Sequence, residues 1–287
     1  MNSTLKQLKT FGKLSISLPI ALTSYTGYIL FDEQLSREGL LVALGIFFLS
    51  AGASALNQLQ EVKEDTLMVR TQNRPLPQGK IKTNEAIALI LASLSIGTLF
   101  LIPFGWLAAF WGWMGVIWYN LIYTPLKKLT AFSVFPGAIV GAIPPVAGWV
   151  AAGGSIIDVR IHFLAFFFFL GQMPHFWLLV LKYKDQYKKA GFPIITDTLK
   201  KRQISRINLI WFLATFISVL FLPAFDLIDR HVIIWIITPS TILMMIWAVR
   251  TTIGTNEANK KKHLRQQFIV FNSFYLWIML LIYIDKI

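Results

Sequence analysis

The 287-residue sequence contains no cysteine and carries little charge, because Asp, Glu, Lys and Arg together make up only 14% of it. The absence of cysteine excludes disulfides and thiolate metal sites, and it leaves the redox compartment open. A typical soluble domain has nearly twice this charged fraction. A long polar or Pro/Gly/Ser-rich linker is also missing. We therefore predict one integral domain over residues 1–287, with no soluble appendage.

What the sequence does contain is hydrophobic, since 55% of the residues are apolar and apolar runs of about 18 or more residues recur. The runs are continuous and not alternating, which favours membrane helices over a β-barrel. The first run is long for a signal peptide and no small-residue cleavage pattern follows, so we expect an uncleaved span. The fold class is an all-α polytopic membrane protein. We predict nine spans, at about 14–31, 39–58, 85–103, 106–123, 132–152, 161–181, 207–222, 231–249 and 267–285.

The basic residues predict the orientation of these spans. The net charge of +13 does not indicate nucleic-acid binding, because the charges lie between apolar runs. Of the 27 lysines and arginines, 23 lie in the N-terminal segment or in loops on the same predicted side. The positive-inside bias then places the N-terminus in the cytoplasm and the C-terminus outside. The expected surroundings are a lipid bilayer.

A dense polar cluster, "NQLQEVKEDTLMVRTQNRPLPQGKI", follows the second predicted span. Asn57, Glu61 and Asp65 are spaced four apart and would share one face if the helix continued. Two carboxylates and an amide oxygen suit Mg²⁺, which is often shared with substrate phosphates. Arg70 and Arg74 match phosphate oxygens, and the prolines of "RPLP" are expected to end the helix. The alternative is a solvated helix end whose acids and bases pair.

A second polar cluster, "QMPHFWLLVLKYKDQYKKAGFPI", ends the sixth predicted span. Pro174 is expected to kink or break this helix within the membrane. His175 lies at membrane depth and is a functional candidate, although a hydrogen bond to a neighbouring helix would also explain it. Near the membrane face, Asp185 could bind a second metal ion and Lys189 a phosphate. Tyr187 lies between them.

A third stretch, "YNLIYTPLKKLTAFSVFPGAIVGAIPPVAGWVAAGG", covers the fifth predicted span. Gly137 and Gly141 form a small-residue face that allows close helix contact, and simple helix packing is the favoured explanation for them. Pro144 and Pro145 are expected to break this span near its middle, as happens where helices line a cavity. Two lysines lie at its cytoplasmic mouth, Lys127 and Lys128.

Four strings in these stretches are the most specific: "RTQNRPL", "YTPLKKLT", "GAIPPVAGW" and "QMPHFW…Y..AGFP". On these strings, between residues 57 and 194, the chain resembles the protoheme IX farnesyltransferases (haem O synthases) of the UbiA-type intramembrane prenyltransferases. The resemblance implies helices bundled around a central cavity. It also implies Mg²⁺-dependent transfer of a farnesyl group from farnesyl diphosphate to a vinyl group of haem b.

The resemblance further implies roles for particular residues. The catalytic and metal-binding residues would be Asn57, Glu61, Asp65 and Asp185. The diphosphate would be bound by Arg70, Arg74, Lys127, Lys128, Tyr187 and Lys189. Haem would be contacted by His175 and Trp177. The expected location is a bacterial inner membrane, with a haem A synthase or a terminal-oxidase assembly factor as a further partner.

The chain departs from the family pattern at several positions. Glu61 replaces the middle Asp of the first motif, and Lys63 stands where relatives often have another Asp. In the second motif Gln186 replaces the Asp before Tyr187, so that Asp185 is the nearest carboxylate. Two alternatives stay open: a prenyltransferase for a quinone-type aromatic acceptor, and a non-catalytic haem-handling relative. A transporter is disfavoured, because the acids lie at one membrane face.

Overall fold

The computed structural model describes residues 3–253 and 260–287, and all regular secondary structure in these residues is helical. The α-helices are α1 Ser3–Phe11, α2 Leu14–Asp32, α3 Arg37–Gln60, α4 Val62–Leu67, α5 Thr83–Leu101, α6 Trp106–Ile117, α7 Thr124–Leu129, α8 Val134–Ala151, α9 Val159–Lys189, α10 Lys201–Leu220, α11 His231–Ile253 and α12 Lys260–Lys286. The predicted all-α class is confirmed.

Within the described residues, eight helical segments are long and apolar enough to cross a membrane. They coincide with eight of the nine predicted spans. Many large apolar side chains on their outer surfaces are exposed, among them Leu91, Leu99, Trp235 and Leu243. Exposed apolar surface on this scale matches lipid and not water. The chain is an integral membrane protein.

The ninth predicted span, 106–123, is helical but is not one regular α-helix. It consists of α6 followed by a π-helical segment, Trp118–Tyr123, which leads directly into α7. Pro125 lies at the start of α7 and has no N–H to donate to the helix ladder. Asn120 in the π-helical segment donates to the Ala53 carbonyl and to the Gln60 side chain, at 3.0 and 3.1 Å. The segment is thereby fixed against α3.

Contrary to the prediction, the prolines within α8 and α9 do not break these helices. Helix α8 runs without interruption through Pro144 and Pro145, and α9 runs through Pro174. All three prolines are buried. Membrane helices tolerate proline where neighbouring helices support the backbone, and this packing outweighs the lost hydrogen bond. The non-helical residue within α9 is instead Tyr183, with φ −113° and ψ 17°.

Helices α2 and α8 pack with their backbones in direct contact. A Cβ atom on Gly27 would lie 1.9 Å from the Pro145 carbonyl oxygen, and one on Gly148 would lie 1.8 Å from the Ser24 carbonyl oxygen. Only glycine permits such an approach at both positions. The glycines predicted for helix contact also permit close packing, since a Cβ atom on Gly137 would meet the Tyr123 ring and one on Gly141 would meet the Gln172 side chain of α9.

Candidate functional site

A cavity of about 580 Å³ opens among α2, α3, α6, α8, α9 and α12. One part of its wall is charged, and we call the residues concerned the polar cluster: Lys13, Asn57, Glu61, Asp65, Arg74 and Lys127. Another part is formed by Gln172, His175, Phe268 and Asn272. The predicted acidic face and the predicted membrane histidine therefore line the same cavity.

The acidic face survives an irregularity in the backbone. Helix α3 ends at Gln60, and Glu61 leaves helical geometry with φ −119° and ψ 21°. The Glu61 N–H still donates to the Asn57 carbonyl at 3.1 Å, and the Asp65 N–H donates to the Glu61 carbonyl at 2.8 Å. Because these spacings of four residues are kept, Asn57, Glu61 and Asp65 all line the cavity, as predicted from the sequence.

Each of the three polar side chains has a cationic partner from another segment. Lys127 Nζ lies 2.7 Å from Glu61 Oε1, and Arg74 NH1 lies 2.6 Å from Asp65 Oδ2. Lys13 Nζ donates to Asn57 Oδ1 at 2.9 Å. Both carboxylates are almost fully buried, so these charges meet in a largely dehydrated place.

Lys13 was expected to act only as a topology signal and was not predicted for the site. It adopts a left-handed backbone conformation, φ 45°, between α1 and α2, which turns its side chain toward Asn57. Burial, together with the positive charges of Arg74 and Lys127, lowers the pKa of its amine to about 7. No local sequence signal distinguishes Lys13 from the other N-terminal lysines.

The helix after the acidic face ends earlier than predicted. Helix α4 stops at Leu67, well before the "RPLP" prolines, and Met68 is extended. The Thr71 hydroxyl donates to the Asp65 carbonyl at 3.0 Å, so a side chain accounts for one carbonyl that the ending helix leaves free. The segment after α4 then folds back and brings Arg74 to Asp65.

Arg70 contacts the second polar stretch. Its guanidinium lies over the ring of Tyr183 at 4.9 Å and over that of Tyr187 at 5.9 Å. Its backbone N–H donates to Gln186 Oε1 at 2.9 Å. Arg70 and Tyr187 line the cavity, as does Phe192. Gln186 thus joins the end of α9 to the segment after α4, where the family pattern has a carboxylate.

Four predicted site residues do not reach the cavity. Asp185 and Lys189 are exposed on the end of α9, and neither lines the cavity. Lys128 points away from it and pairs with Glu64 at 2.5 Å. Trp177 is buried in an apolar cluster beside α8 and α10, not in the cavity wall. The cause in each case is the helix face, which rotates by about 100° per residue.

His175 contacts two neighbouring aromatic rings and one amide. Its Nδ1 lies 2.9 Å from Asn272 Oδ1 on α12. The rings of Phe268 and Phe176 lie 4.9 and 5.7 Å away, centroid to centroid. His175 therefore makes the hydrogen bond to a neighbouring helix that the sequence analysis gave as an alternative. It also lines the cavity.

The polar cluster offers oxygen ligands for a hard cation. In the described part of the chain, no three His, Asp or Glu side chains lie close enough together to hold a metal ion by themselves. However, Asp65 Oδ1 is buried and has no hydrogen-bond partner. With Glu61 and Asn57 it gives two carboxylates and an amide, a set that suits Mg²⁺ when phosphate oxygens and water complete the shell.

A bundle of membrane helices around such a cavity, with buried acids and cations in its wall, defines the class of protein. The sequence matches the UbiA prenyltransferase family over residues 18–278, and the chain belongs to this family. It is 41% identical over 237 residues to a protoheme IX farnesyltransferase of Geobacter sulfurreducens, covering 82% of this chain and 87% of that protein.

Solved structures share the fold at low sequence identity. A UbiA homologue from Aeropyrum pernix K1 is similar with a TM-score of 0.76 and 18% identity, over 96% of this chain and 99% of that one. A UbiA homologue from Archaeoglobus fulgidus, bound to GPP and Mg²⁺, gives a TM-score of 0.63 and 16% identity, over the same shares.

Proposed function

We propose that this protein transfers a farnesyl group from farnesyl diphosphate to a vinyl group of haem b, giving haem O for the haem of terminal oxidases. It would do so as one integral-membrane domain. The observation that carries the proposal is a single cavity lined by both the polar cluster and His175. The likeness to a protoheme IX farnesyltransferase supports the same substrates.

The transfer breaks the bond between farnesyl C1 and the diphosphate oxygen and forms a carbon–carbon bond to the vinyl group. The diphosphate leaves with the bonding electrons, and water adds to the remaining cation as a hydroxyl with loss of a proton. Arg70, Arg74 and Lys127 would supply positive charge where negative charge develops on the leaving group. The centroid of the Tyr123 ring lies 5.8 Å from Lys127 Nζ, so an electron-rich ring would border an allyl cation formed beside this lysine.

We assign the magnesium-binding role to Asn57, Glu61 and Asp65. Bound magnesium would neutralise the diphosphate oxygens and so make them a better leaving group. In the described structure both carboxylates are paired with cations. Substrate binding would therefore exchange partners, with Lys127 and Arg74 turning from the carboxylates to the phosphates.

Four residues that the sequence predicts for the site lie outside the proposed site: Asp185, Lys128, Lys189 and Trp177. The first three are exposed at the membrane face, and Trp177 packs against apolar side chains. Tyr187 remains, because it lines the cavity and contacts Arg70. Lys13 joins the site through its contact with Asn57.

The likeness to a Geobacter sulfurreducens protein supports a bacterial inner membrane. The positive-inside bias supports an orientation with the N-terminus in the cytoplasm and the C-terminus outside. This orientation needs an odd number of crossings, and the stretch of α6, the π-helical segment and α7 would supply the ninth. The polar cluster would then face the cytoplasm, where a soluble diphosphate is available. A haem A synthase or an oxidase assembly factor is the expected partner for the product.

The test is to incubate the purified full-length protein with haem b, farnesyl diphosphate and Mg²⁺ and to analyse the extracted pigments by mass. We expect a product whose mass equals haem b plus farnesyl and hydroxyl. Prenylation of a quinone-type phenol but not of haem b would replace the proposal with the first alternative. Haem binding without turnover would support a haem-handling relative instead.

A further inference from the structure

Asn272 on α12 is the polar partner of His175 on α9, and its role follows from the geometry. The two residues are far apart in sequence, yet His175 Nδ1 and Asn272 Oδ1 lie 2.9 Å apart. Both side chains line the cavity. This contact determines which of the two imidazole nitrogens of His175 carries the proton.

The orientation of the Asn272 amide is fixed by a second contact. Its Nδ2 donates to the Phe268 carbonyl oxygen at 2.6 Å. A carbonyl oxygen only accepts, so the NH₂ group must face Phe268 and Oδ1 must face His175. Because Oδ1 has no proton to give, the proton in the contact belongs to His175 Nδ1.

A neutral imidazole carries one proton, so its Nε2 then holds a free lone pair. Among the described residues, Nε2 has no hydrogen-bond partner, and the ring borders the cavity. The flanking rings of Phe176 and Phe268 limit its rotation. His175 therefore presents an unprotonated Nε2 in a restricted orientation at the cavity wall.

We propose that Asn272 is a positioning residue that holds His175 in the Nδ1–H tautomer, so that Nε2 binds the iron of the porphyrin acceptor. The inference rests on the proposed function and names the contact that His175 makes. A propionate would need an N–H donor at Nε2, which this tautomer lacks. Metal-binding histidines commonly donate their other N–H to an acceptor of this kind.

The test compares ferric haem b with metal-free protoporphyrin IX, which has the same propionates but no iron. Both are titrated into the purified full-length protein. We expect Asn272→Leu and His175→Ala to weaken haem b binding about 10–100-fold and to change protoporphyrin IX binding by less than about threefold. The matched control is Asn208→Leu, a buried asparagine of α10 outside the cavity, which should alter neither titration.

Equal losses for the two porphyrins would overturn the inference and indicate a propionate contact. If Asn272→Leu does not fold, Asn272→Asp decides the question. Its carboxylate still accepts from Nδ1–H and makes the imidazole a stronger ligand, so haem b binding is kept and the reduction potential of the bound haem falls. An unchanged potential would count against iron binding by His175. If the wild-type protein transfers farnesyl but the variants lose affinity for both porphyrins equally, the proposed function stands and only this inference fails. If the pigment assay gives no farnesylated product, only the proposed function is contradicted.

Discussion

Two polar stretches, 57–65 and 185–189, lie at the ends of the long membrane helices α3 and α9, yet only the first places acidic side chains, Glu61 and Asp65, in the cavity wall. Glu61 and Asp65 are almost fully buried and are paired with the cations Lys127 and Arg74. Asp185 and Lys189 remain exposed on the end of α9. The residue types are similar, but their phase on the helix differs.

In the second stretch, the residue that contacts the segment after α4 is Gln186, not Asp185. Gln186 accepts a hydrogen bond from the Arg70 backbone, so it joins the end of α9 to that segment without adding charge. A shift of one residue moves a helical side chain by about 100°, which is enough to take Asp185 away from the cavity. From this comparison we infer that the first stretch binds the metal ion. The second stretch holds the segment after α4 in place.

The largest effect should come from the first stretch. We expect Asp65→Asn and Glu61→Gln each to lower the turnover of farnesyl transfer by about 10²–10³-fold or more, because a neutral amide binds magnesium more weakly than a carboxylate and does not balance the charge of the neighbouring cations. Turnover is measured at saturating Mg²⁺, and folding by thermal stability in detergent. Near-normal turnover of either variant would remove that residue from the metal site.

The adjacent lysines provide the next test, because they share residue type and location in sequence but not direction. Lys127 pairs with Glu61 in the cavity, whereas Lys128 pairs with Glu64 outside it. We expect Lys127→Met to lower turnover about 10²-fold and Lys128→Met by less than about threefold. Similar losses in both variants would show that the loop acts through its overall charge.

Gln186→Leu tests the connection between the end of α9 and the segment after α4. Without the side-chain acceptor, the Arg70 N–H loses its partner, and the segment after α4 is held less firmly. Because this is one partly exposed neutral hydrogen bond, we expect the KM for farnesyl diphosphate to rise about 3–10-fold while kcat changes less. A large fall in kcat with an unchanged KM would mean that Gln186 acts in the chemical step.

The smallest effect is expected at the exposed end of α9. Asp185→Asn and Lys189→Gln should each change turnover by less than about twofold, since exposed charges contribute little at a distance. The measurement is the same pigment assay, with Asp65→Asn run in parallel. A tenfold or greater loss from Asp185→Asn would erase the contrast between the two stretches and return Asp185 to the metal site.

Much of the fold could be predicted from the sequence, because long apolar runs have few alternatives in a membrane. The spacing of Asn57, Glu61 and Asp65 also predicted their shared position, since helical hydrogen bonding continues through Glu61. The predicted helix breaks at the prolines were wrong, because the effect of a proline depends on neighbouring helices that support the backbone. A single sequence does not show which helices will be neighbours.

The site residues that could not be predicted from the sequence depend on contacts between distant segments. Lys13 reaches Asn57 only because a left-handed residue turns the chain between α1 and α2. Asn272 reaches His175 because α12 packs beside α9. Neither residue belongs to a local motif, so spacing along the sequence could not reveal it.

The backbone contact between α2 and α8 has a consequence for substrate exchange. Where Gly27 meets Pro145 and Gly148 meets Ser24, there is no side-chain layer that could rearrange. Sliding or separating these helices would break contact along the whole seam at once, so they should move as one rigid plate. A porphyrin that enters flat and leaves carrying a fifteen-carbon tail must therefore pass where other helices yield, and this plate would serve as the fixed wall against which they move.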